Sequence, residues 1–582
     1  MTEKTGDAGG KKALRLAATW IATWALLLLP DLLLYWGGYP VLAAVKLKAW
    51  LTAGIIALLL STARSRRFRM WAVALLVVNQ AIWTGYVVYF GEALRPEHLL
   101  VFREETTDTA IGALAEWRTF LPWFVTLALS ATLLASLQWR EAGGTRFGWR
   151  VSGWAFAVAI AAVTVAWMVH PRIDAAFPGK HSGSIYGPYQ AAIGAIRLGM
   201  TQVAAASLNV RAQTQSQAPR AAEPVTVVVI MGESINPTRL SLYGFKSDTT
   251  PTLAQWRTTP PAGFTFIPEI GFSGGLDTYA SVPTFLRAAY WPVRSERFGV
   301  NLFELAHRQN FKSWVLSAQT ANFIEAAGGA PHAEAIEFLA NDGAMAKRAA
   351  ALPDRGEDSF IFLHQRANHA PYTSSCASVP DGHAVFSPPT DSTEDQRRTA
   401  YDNGLWCWDQ DVAALAAPFL KRRGAVHIFI MADHSEIMGE DGHWGHGFTD
   451  LRVAMVPMML LTNRPDSNVA ALFKSWSPPD AYRIGQTVAL AFGVHLDTPN
   501  IGADRFFINN TMPFALAGFS EVVQEKPGVY RVKNFARNGQ LLNQNVTKLP
   551  IVAASNAGVP ASGGSNVAHH IGAIGAAQAA PK

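Results

Sequence analysis

The stretch VHIFIMADHSEIMGEDGHWGHG (residues 426–447) begins with an apolar run and continues with acids, histidines and glycines. The run VHIFI is typical of a buried strand, and Asp433 and His434 follow where that strand is expected to end. The same segment holds five further ionisable residues: Glu436, Glu440, Asp441, His443 and His446. A solvated loop would account for the charge but not for its position. The segment therefore indicates an α/β domain with a polar site at a strand end.

Four other apolar runs in the C-terminal part of the chain resemble this strand. They are VTVVVIM (225–231), SWVLSA near 313, SFIFLH near 359 and VPMMLLT near 456. Stretches with helical character separate them, including 301–310 and 409–421. Strands that alternate with helices predict a parallel α/β sheet covered on both faces.

Three of the predicted strands end in carboxylates or imidazoles. Glu233 follows the first strand, His364 and His369 follow the strand near 359, and Asp433 and His434 follow the strand near 426. A single histidine of this kind is most often a hydrogen-bonded structural residue, but the joint pattern favours a metal site. Mixed oxygen and nitrogen ligands suit Zn²⁺ better than Mn²⁺ or Mg²⁺, which prefer oxygen.

A nucleophile for such a site is expected in GFSGGLDTYASVPTFLRAAY (271–290). Thr278 falls at the predicted start of a helix, where the helix dipole and a bound cation would both favour an alkoxide. On spacing alone, three other hydroxyls compete with it: Ser273, Ser281 and Thr284.

The N-terminal part of the 582-residue chain has a different character. Five apolar stretches approach the roughly 20 residues needed to cross a bilayer: 16–36, 42–62, 71–91, 120–138 and 151–169. Basic clusters lie between them: Lys11, Lys12 and Arg15, then 64–69, then Arg140, Arg146 and Arg150. This placement predicts an internal N-terminus and an external C-terminal domain. It also explains the net charge of +6 without a nucleic-acid partner.

The chain is therefore expected to divide into four parts. Residues 1–170 form a transmembrane domain, 171–224 a linker with an interfacial helix at 188–210, 225–550 a catalytic domain, and 551–582 a disordered tail. The two cysteines, Cys376 and Cys407, fall in the external domain. A disulfide and two free thiols are both open interpretations.

Several motifs resemble one protein family. VIMGESINPTRLSLYGFKSDTTPTL (229–253) resembles the opening motif of the bacterial phosphoethanolamine transferases of the alkaline-phosphatase superfamily. HQRANHAPY (364–372), YDN (401–403) and DHSEIMGEDGHWGHG (433–447) resemble three further motifs of that family. The resemblance covers nearly the whole chain, because the family also has about five membrane helices before a periplasmic alkaline-phosphatase-like domain.

The resemblance implies a zinc ion and leaves room for a second. The residues that match the first zinc site are Glu233, Thr278, Asp433 and His434, with Thr278 three residues before the SVP element at 281–283. His369 and His446 match histidines that face the substrate phosphate or a second zinc. A structural role is equally open for His364 and His443, whereas Glu436 and Glu440 are expected to orient metal-bound residues.

The function implied is transfer of phosphoethanolamine from phosphatidylethanolamine to an envelope glycan or lipopolysaccharide, through a covalent intermediate on Thr278. The expected location is the bacterial inner membrane, with the catalytic domain in the periplasm. Lipid A-modifying members commonly carry cysteines where Gly274 and Thr284 stand here. This difference favours a core sugar or a periplasmic glucan as the acceptor.

Other functions stay open at this point. A phosphoglycerol transferase that resembles lipoteichoic acid synthase would use a similar threonine and topology. A sulfatase is disfavoured, because no cysteine or serine near 278 lies in a C/S-x-P-x-R context. A membrane-anchored scaffold with a dead catalytic domain is disfavoured because every candidate ligand is present. A transporter is disfavoured by the few intramembrane charges, of which Asp31 is one.

Overall fold

The computed structural model describes residues 6–39, 41–63, 65–90, 93–94, 96, 99, 117–140, 149–169, 183–206, 215–218, 223–288, 301–370, 372, 385–496, 502, 504–512, 517–536 and 539–549. The predicted tail at 551–582, Cys376 and most of the loop at 92–118 lie outside these residues.

Six helices make up the described part of the N-terminal region: α1 (Gly6–Trp36), α2 (Leu47–Thr62), α3 (Arg66–Phe90), α4 (Trp117–Arg140), α5 (Trp149–Val169) and α6 (Gly187–Ala206). Within them, Ala13–Trp36, Arg66–Phe90 and Phe120–Trp139 are long and apolar enough to cross a membrane. Leu47–Thr62 and Gly153–Ala162 are apolar but shorter. Three to five apolar helices thus precede the α/β region, and this part of the predicted fold class is confirmed.

The remaining helices are α7 (Pro251–Thr258), α8 (Thr278–Leu286), α9 (Leu302–Arg308), α10 (Asn322–Ala326), α11 (Asp342–Ala350), α12 (Thr393–Ala416), α13 (Leu451–Ala454), α14 (Asn468–Ser475) and α15 (Ala481–Ala491). The strands are β1 (Gln215–Gln217), β2 (Val225–Gly232), β3 (Thr265–Phe272), β4 (Lys312–Ser317), β5 (Ala335–Phe338), β6 (Ser359–His364), β7 (Ala425–Ala432), β8 (Ile437–Met438), β9 (Trp444–Gly445), β10 (Met455–Thr462), β11 (Val494–Leu496), β12 (Arg505–Asn509), β13 (Phe519–Lys526), β14 (Val529–Phe535) and β15 (Leu541–Lys548).

The central sheet has seven strands in the order β3-β10-β7-β2-β6-β4-β5. The five strands from β7 to β5 in this order run parallel to one another. Every residue of β2, β6 and β7 is buried, as expected for strands covered on both faces. The α/β part of the predicted fold class is therefore confirmed as well.

The prediction of a parallel sheet is wrong for one of its strands. β10, the run VPMMLLT, pairs antiparallel with both β7 and β3. Between β7 and β10 the chain forms the short β8–β9 hairpin and the one-turn helix α13. Neither is long enough to carry the chain back to the end of the sheet at which β7 begins. The chain therefore re-enters the sheet from the end at which it left.

A second sheet, not anticipated from the sequence, follows the central one. Its four antiparallel strands run in the order β12-β13-β14-β15. A separate apolar core joins it to the central domain, where the ring of Phe272 stacks on Phe506 and meets the edge of Tyr530. The second sheet thus packs beside the segment that leads into α8.

Candidate functional site

The ends of β2 and β7 place two carboxylates side by side. Gly232 pairs with Ala432 in the parallel register, so Glu233 and Asp433 leave the sheet together. The backbone N–H of Ser234 donates to Oδ1 of Asp433 at 3.1 Å, and Ser234 takes a left-handed conformation with φ of 58°. Both carboxylates are fully buried. This strained turn fixes the two carboxylates relative to each other.

Thr278 is the first residue of α8 and reaches the same carboxylates. Asp277 caps this helix, because its side chain accepts a hydrogen bond from the N–H of Ala280 at 2.8 Å. The Thr278 hydroxyl donates to Oε2 of Glu233 at 2.9 Å and lies 3.2 Å from Nε2 of His434. The hydroxyl is therefore held at a helix N-terminus between a carboxylate and an imidazole.

The competing hydroxyls have other partners or none. Ser273 donates to the carbonyl of Gly275 at 2.6 Å, and Thr284 donates to the carbonyl of Ala280 at 2.6 Å. The hydroxyl of Ser281 is buried without a hydrogen-bond partner among the described residues. Among these four hydroxyls, the geometry favours Thr278 as the nucleophile.

Burial of two neighbouring carboxylates makes this site electrostatically strained. Burial raises the pKa of Asp433 well above its ordinary value, and the charge of Glu233 adds to the effect. Burial acts in the same sense on Glu233, but His434 outweighs it and holds the pKa of Glu233 well below its ordinary value. Nε2 of His434 lies 3.0 Å from Oε1 of Glu233. A divalent cation would relieve the repulsion between the two acids.

The donor set fits such a cation. Oδ2 of Asp433 is buried and has no hydrogen-bond donor of acceptable geometry among the described residues. Glu233, Asp433 and His364 can each offer one ligand atom, all within 4.8 Å of one another. These carboxylate and imidazole donors match the preference of zinc. The assignment of Glu233, Thr278, Asp433 and His434 as ligands stays a prediction, and the structure brings these four residues together.

A second group of possible ligands adjoins the first. The ligand atoms of His434, Glu436 and His446 also lie within 4.8 Å of one another. Nδ1 of His446 is 2.8 Å from Oε2 of Glu436, and the hydroxyl of Tyr372 donates to Oε1 of Glu436 at 2.5 Å. The rings of His434 and His446 are 4.0 Å apart. Glu436 thus orients His446 beside His434, while its expected role in orienting metal-bound residues stays a prediction.

The remaining predicted residues are distributed around this centre. His369 is buried, and its charge helps to lower the pKa of Glu233. Burial lowers the pKa of His364 to about 4, and neither of its ring nitrogens has a hydrogen-bond partner among the described residues. Glu440 accepts a hydrogen bond from the N–H of Met438 at 2.6 Å and so stabilises the hairpin turn. His443 lies in that turn.

Sequence reasoning missed Gln319 and gave no role to Tyr372. Gln319 follows β4, and its amide donates to Oε2 of Glu233 at 2.9 Å. In parallel α/β sheets, polar residues directly after a strand are candidates for the site, and we call this the strand-end rule. The rule identified Glu233 and applies equally to Gln319, so a signal was present in the sequence. Cys407 is buried and disulfide-bonded, and this favours the disulfide of the two interpretations.

Comparison with known proteins agrees with this geometry. Residues 225–464 match the sulfatase family. A relative named "Putative transferase YhbX" from Escherichia coli K12 is 26% identical over 218 residues, which cover 36% of this chain and 37% of the relative. "Phosphatidylethanolamine transferase Mcr-1" from Escherichia coli is 25% identical over 260 residues, which cover 40% of this chain and 47% of that protein. The matched regions span less than half of either relative.

A solved structure shares the architecture of both parts of the chain. It is the integral membrane protein lipooligosaccharide phosphoethanolamine transferase A (EptA) from Neisseria meningitidis. The match has a TM-score of 0.51 at 14% identity and covers 83% of this chain and 95% of that structure. Residues 225–464 thus match the sulfatase family model, and most of the chain shares its fold with this solved structure.

Proposed function

We propose that the protein transfers phosphoethanolamine from phosphatidylethanolamine to an envelope glycan or lipopolysaccharide. The observation that carries this proposal is Thr278, held at a helix N-terminus between Glu233 and His434. The similarity to a protein named phosphatidylethanolamine transferase supports the same chemistry. Helices long enough to cross a membrane support a lipid donor.

Glu233, Thr278, Asp433 and His434 would hold a zinc ion in this proposal. When bound, zinc would supply a Lewis acid that favours the Thr278 alkoxide and the charge on the phosphoryl oxygens. His434, Glu436 and His446 leave room for a second ion. The proposal thus comprises one zinc ion and a second, adjoining group of ligands.

In the first step, Oγ1 of Thr278 attacks the phosphorus of phosphatidylethanolamine. A threonine O–P bond forms, and the bond between phosphorus and the glycerol oxygen breaks. The Thr278 proton leaves toward Oε2 of Glu233, which already accepts its hydrogen bond at 2.9 Å. His446, with Nδ1 bonded to Glu436, can give a proton from Nε2 to the glycerol oxygen, so that diacylglycerol departs.

In the second step, an acceptor hydroxyl attacks the phosphorus of the phosphoethanolamine–threonine. The new O–P bond forms as the bond to Thr278 breaks, and the acceptor proton passes to His446 or His369. Thr278 regains a proton and the site is restored. The orientation of His446 by Glu436 and Tyr372 suits this repeated proton transfer.

The proposed setting is the bacterial inner membrane, with the α/β domain in the periplasm. The basic cluster at 64–69 includes the first turn of α3, which predicts that the other end of this helix, at Phe90, faces outward. A lipid donor would then reach the site from the outer leaflet. No nucleic-acid partner is part of this proposal.

The position of the reacting hydroxyl distinguishes the proposed transferase from a sulfatase. A sulfatase would need a serine or cysteine in the reactive position, and the nearest candidate, Ser281, has a buried hydroxyl that makes no hydrogen bond to the described residues. Thr278 makes the contacts that a reacting group requires. This arrangement favours transfer through a threonine over sulfate ester hydrolysis.

Mass spectrometry of the purified protein tests the proposal. The wild-type protein and Thr278→Ala are each incubated with phosphatidylethanolamine, and the intact mass and the peptides are measured. We expect a phosphoethanolamine adduct on Thr278 in the wild-type protein, release of diacylglycerol, and neither product with the variant.

Other outcomes would change the proposal in defined ways. An adduct on a different residue would replace the nucleophile and keep the reaction. Diacylglycerol release from phosphatidylglycerol in place of phosphatidylethanolamine would favour the phosphoglycerol reaction. If neither lipid gives an adduct or releases diacylglycerol, and no zinc is bound, a catalytically dead scaffold would be favoured.

A further inference from the structure

A cavity of about 470 Å³ lies where the membrane helices meet the α/β domain. We call it the junction pocket. Its described lining includes Tyr39 after α1, Tyr89 near the end of α3, Glu394 and Arg397 on α12, and Asp441 and Trp444 around the β8–β9 turn. The pocket is thus built by both parts of the chain.

One guanidinium is held within an aromatic stack in this pocket. The Arg397 guanidinium carbon lies 4.7 Å from the ring centre of Tyr89 and 4.6 Å from that of Trp444. Arg397 itself is almost completely buried. Two aromatic faces thus fix the plane of a charged group whose edge can bind a phosphate.

Negative charge lies at the rim of the same pocket. The side chains of Glu394 and Asp441 are largely exposed, and each pairs with an arginine: Glu394 with Arg398 at 3.2 Å, and Asp441 with Arg452 at 2.8 Å. Together with the ring of Tyr39, these exposed carboxylates form surroundings that suit an ammonium group. The pocket therefore offers one anion-binding group and several cation-binding groups.

The pocket adjoins the candidate functional site. A Cβ atom on Gly445 would lie 3.3 Å from Cδ1 of Phe90 and 3.8 Å from Oε1 of Glu436. The end of α3 therefore packs against the hairpin that carries Glu436 and His446. Arg397 and Tyr89 also lie close enough to Tyr372 to act on its pKa, which burial raises well above its ordinary value.

We propose that the junction pocket binds the headgroup of a zwitterionic phospholipid, with the phosphate at Arg397 and the ammonium at the Tyr39 ring and Glu394. This inference rests on the proposed function, since the pocket would receive the donor lipid before its phosphate reaches Thr278. An anionic headgroup without an ammonium would meet the rim carboxylates unfavourably. The pocket would therefore select phosphatidylethanolamine over phosphatidylglycerol.

A binding measurement tests this inference without turnover. Full-length Thr278→Ala protein in detergent is titrated with short-chain phosphatidylethanolamine, short-chain phosphatidylglycerol and inorganic phosphate. The same titrations follow with Arg397→Gln added to this background. Arg308→Gln is the control, because Arg308 lies on α9 and pairs with Glu304 at 2.9 Å, and neither residue lines the junction pocket.

We expect Arg397→Gln to weaken binding of the phosphatidylethanolamine analogue roughly tenfold, as loss of one charge-assisted hydrogen bond would. Arg308→Gln should leave the affinity unchanged. Equal binding by the parent and Arg397→Gln, or an equal loss in the Arg308 control, would overturn the inference. So would phosphatidylglycerol binding as tightly as phosphatidylethanolamine, or inorganic phosphate displacing the lipid at similar concentration.

A second variant guards against misfolding of Arg397→Gln. The Glu394 side chain is 66% exposed, so Glu394→Gln should fold normally. It should weaken the phosphatidylethanolamine analogue and bring its affinity closer to that of phosphatidylglycerol; unchanged selectivity would overturn the ammonium site. An adduct on wild-type Thr278 combined with unchanged binding in Arg397→Gln would refute the pocket and keep the proposed function. If Arg397→Gln loses binding but wild-type Thr278 carries no adduct, the pocket would be kept and the proposed function refuted.

Discussion

The amide of Gln319 donates to Oε2 of Glu233 at 2.9 Å, and this is the same oxygen that accepts the Thr278 hydroxyl. Gln319 also donates to the carbonyl of Gln365 at 3.2 Å, so its amide is fixed between two neighbouring strand ends. The glutamine therefore positions Glu233 without belonging to the metal-binding group itself.

Replacing Gln319 should loosen Glu233. We expect Gln319→Leu to reduce zinc affinity roughly tenfold, a typical effect of losing a residue that orients a metal ligand. Competition with a chromophoric chelator measures the affinity. Gln410→Leu is the control, because Gln410 contacts Thr252 and Asp409 away from the site. Equal zinc affinity in Gln319→Leu and wild type would show that Glu233 does not depend on this contact.

Removal of zinc should destabilise the α/β domain. Two buried carboxylates, Glu233 and Asp433, then face each other without a cation. At free zinc 100 times its dissociation constant, the ion should add about 2.7 kcal/mol to the free energy of unfolding. Thermal unfolding with a chelator, and after zinc is restored, measures this effect. In Asp433→Asn the zinc response should be absent. If Mg²⁺ restores the free energy of unfolding as readily as Zn²⁺ does, the assignment of the site to zinc would be contradicted.

Tyr372 should affect the transfer rate through its hydrogen bond to Glu436. Its hydroxyl donates to this buried carboxylate at 2.5 Å, and a lost hydrogen bond to a charged group costs about 1.5–3 kcal/mol. We expect Tyr372→Phe to lower kcat/KM for phosphoethanolamine transfer about tenfold, since His446 loses its fixed orientation. Tyr530→Phe, in the second sheet, should leave transfer unchanged. A normal rate in Tyr372→Phe would mean that Glu436 alone suffices to hold His446.

Gly232 leaves no room for a side chain just before Glu233. A Cβ atom there would lie 2.6 Å from Nε1 of Trp408 and 3.1 Å from Cγ1 of Ile235. Gly232→Ala should cost about 1–3 kcal/mol of stability through overpacking and should also lower zinc affinity by moving Glu233. Chemical denaturation and zinc titration measure the two effects.

Gly356→Ala is the control for this substitution. Gly356 has a φ of 67° and nothing within 4 Å of an added Cβ. This variant should lose stability through backbone strain alone and keep its zinc affinity. A loss of zinc affinity in both variants would indicate a general effect of lowered stability.

Asp409 should give the protein a pH-dependent stability. Its carboxylate accepts hydrogen bonds from the N–H groups of Thr252 and Leu253 at 2.8 Å each, and burial raises its pKa from 3.8 to about 6. Because the folded state binds this proton more tightly than the unfolded state, the contribution of Asp409 is largest below about pH 4 and falls as pH rises through 6.

The comparison with Asp409→Asn isolates this contribution. Relative to the variant, the wild-type free energy of unfolding should fall by about 3 kcal/mol between pH 3 and pH 7, at 1.36 kcal/mol per pKa unit. Chemical denaturation of both proteins at several pH values measures the difference. A difference that does not vary with pH would contradict the raised pKa.

The strand-end rule was sufficient to predict the proximity of Glu233, Asp433 and His434. Parallel strands end at one edge of a sheet, and an apolar run followed by acids indicates that edge in the sequence. The same rule placed Thr278 only with the help of the family motif, because the loop from β3 to α8 has no periodic pattern. The antiparallel direction of β10 depended on the geometry of its connection, which composition does not reveal.

Arg397 is an example of what the sequence could not provide. It lies within the 24-residue helix α12, and its ring partners Tyr89 and Trp444 come from two other regions of the chain. No local pattern distinguishes it from Arg398 beside it. Its environment depends on how the two parts of the chain pack together.

The hydrogen bond from Ser234 to Asp433 joins positions 199 residues apart. Thr278 lies between them in the chain and Gln319 follows it, so the site needs four distant segments at once. A growing or partly exported chain that ends before His434 would contain the nucleophile but lack half of its partners. Under the proposed function, such a chain would lie in a bilayer that contains the donor lipid but could not react with it. Transfer would begin only when folding brings all four segments together, although the donor surrounds the chain from the start.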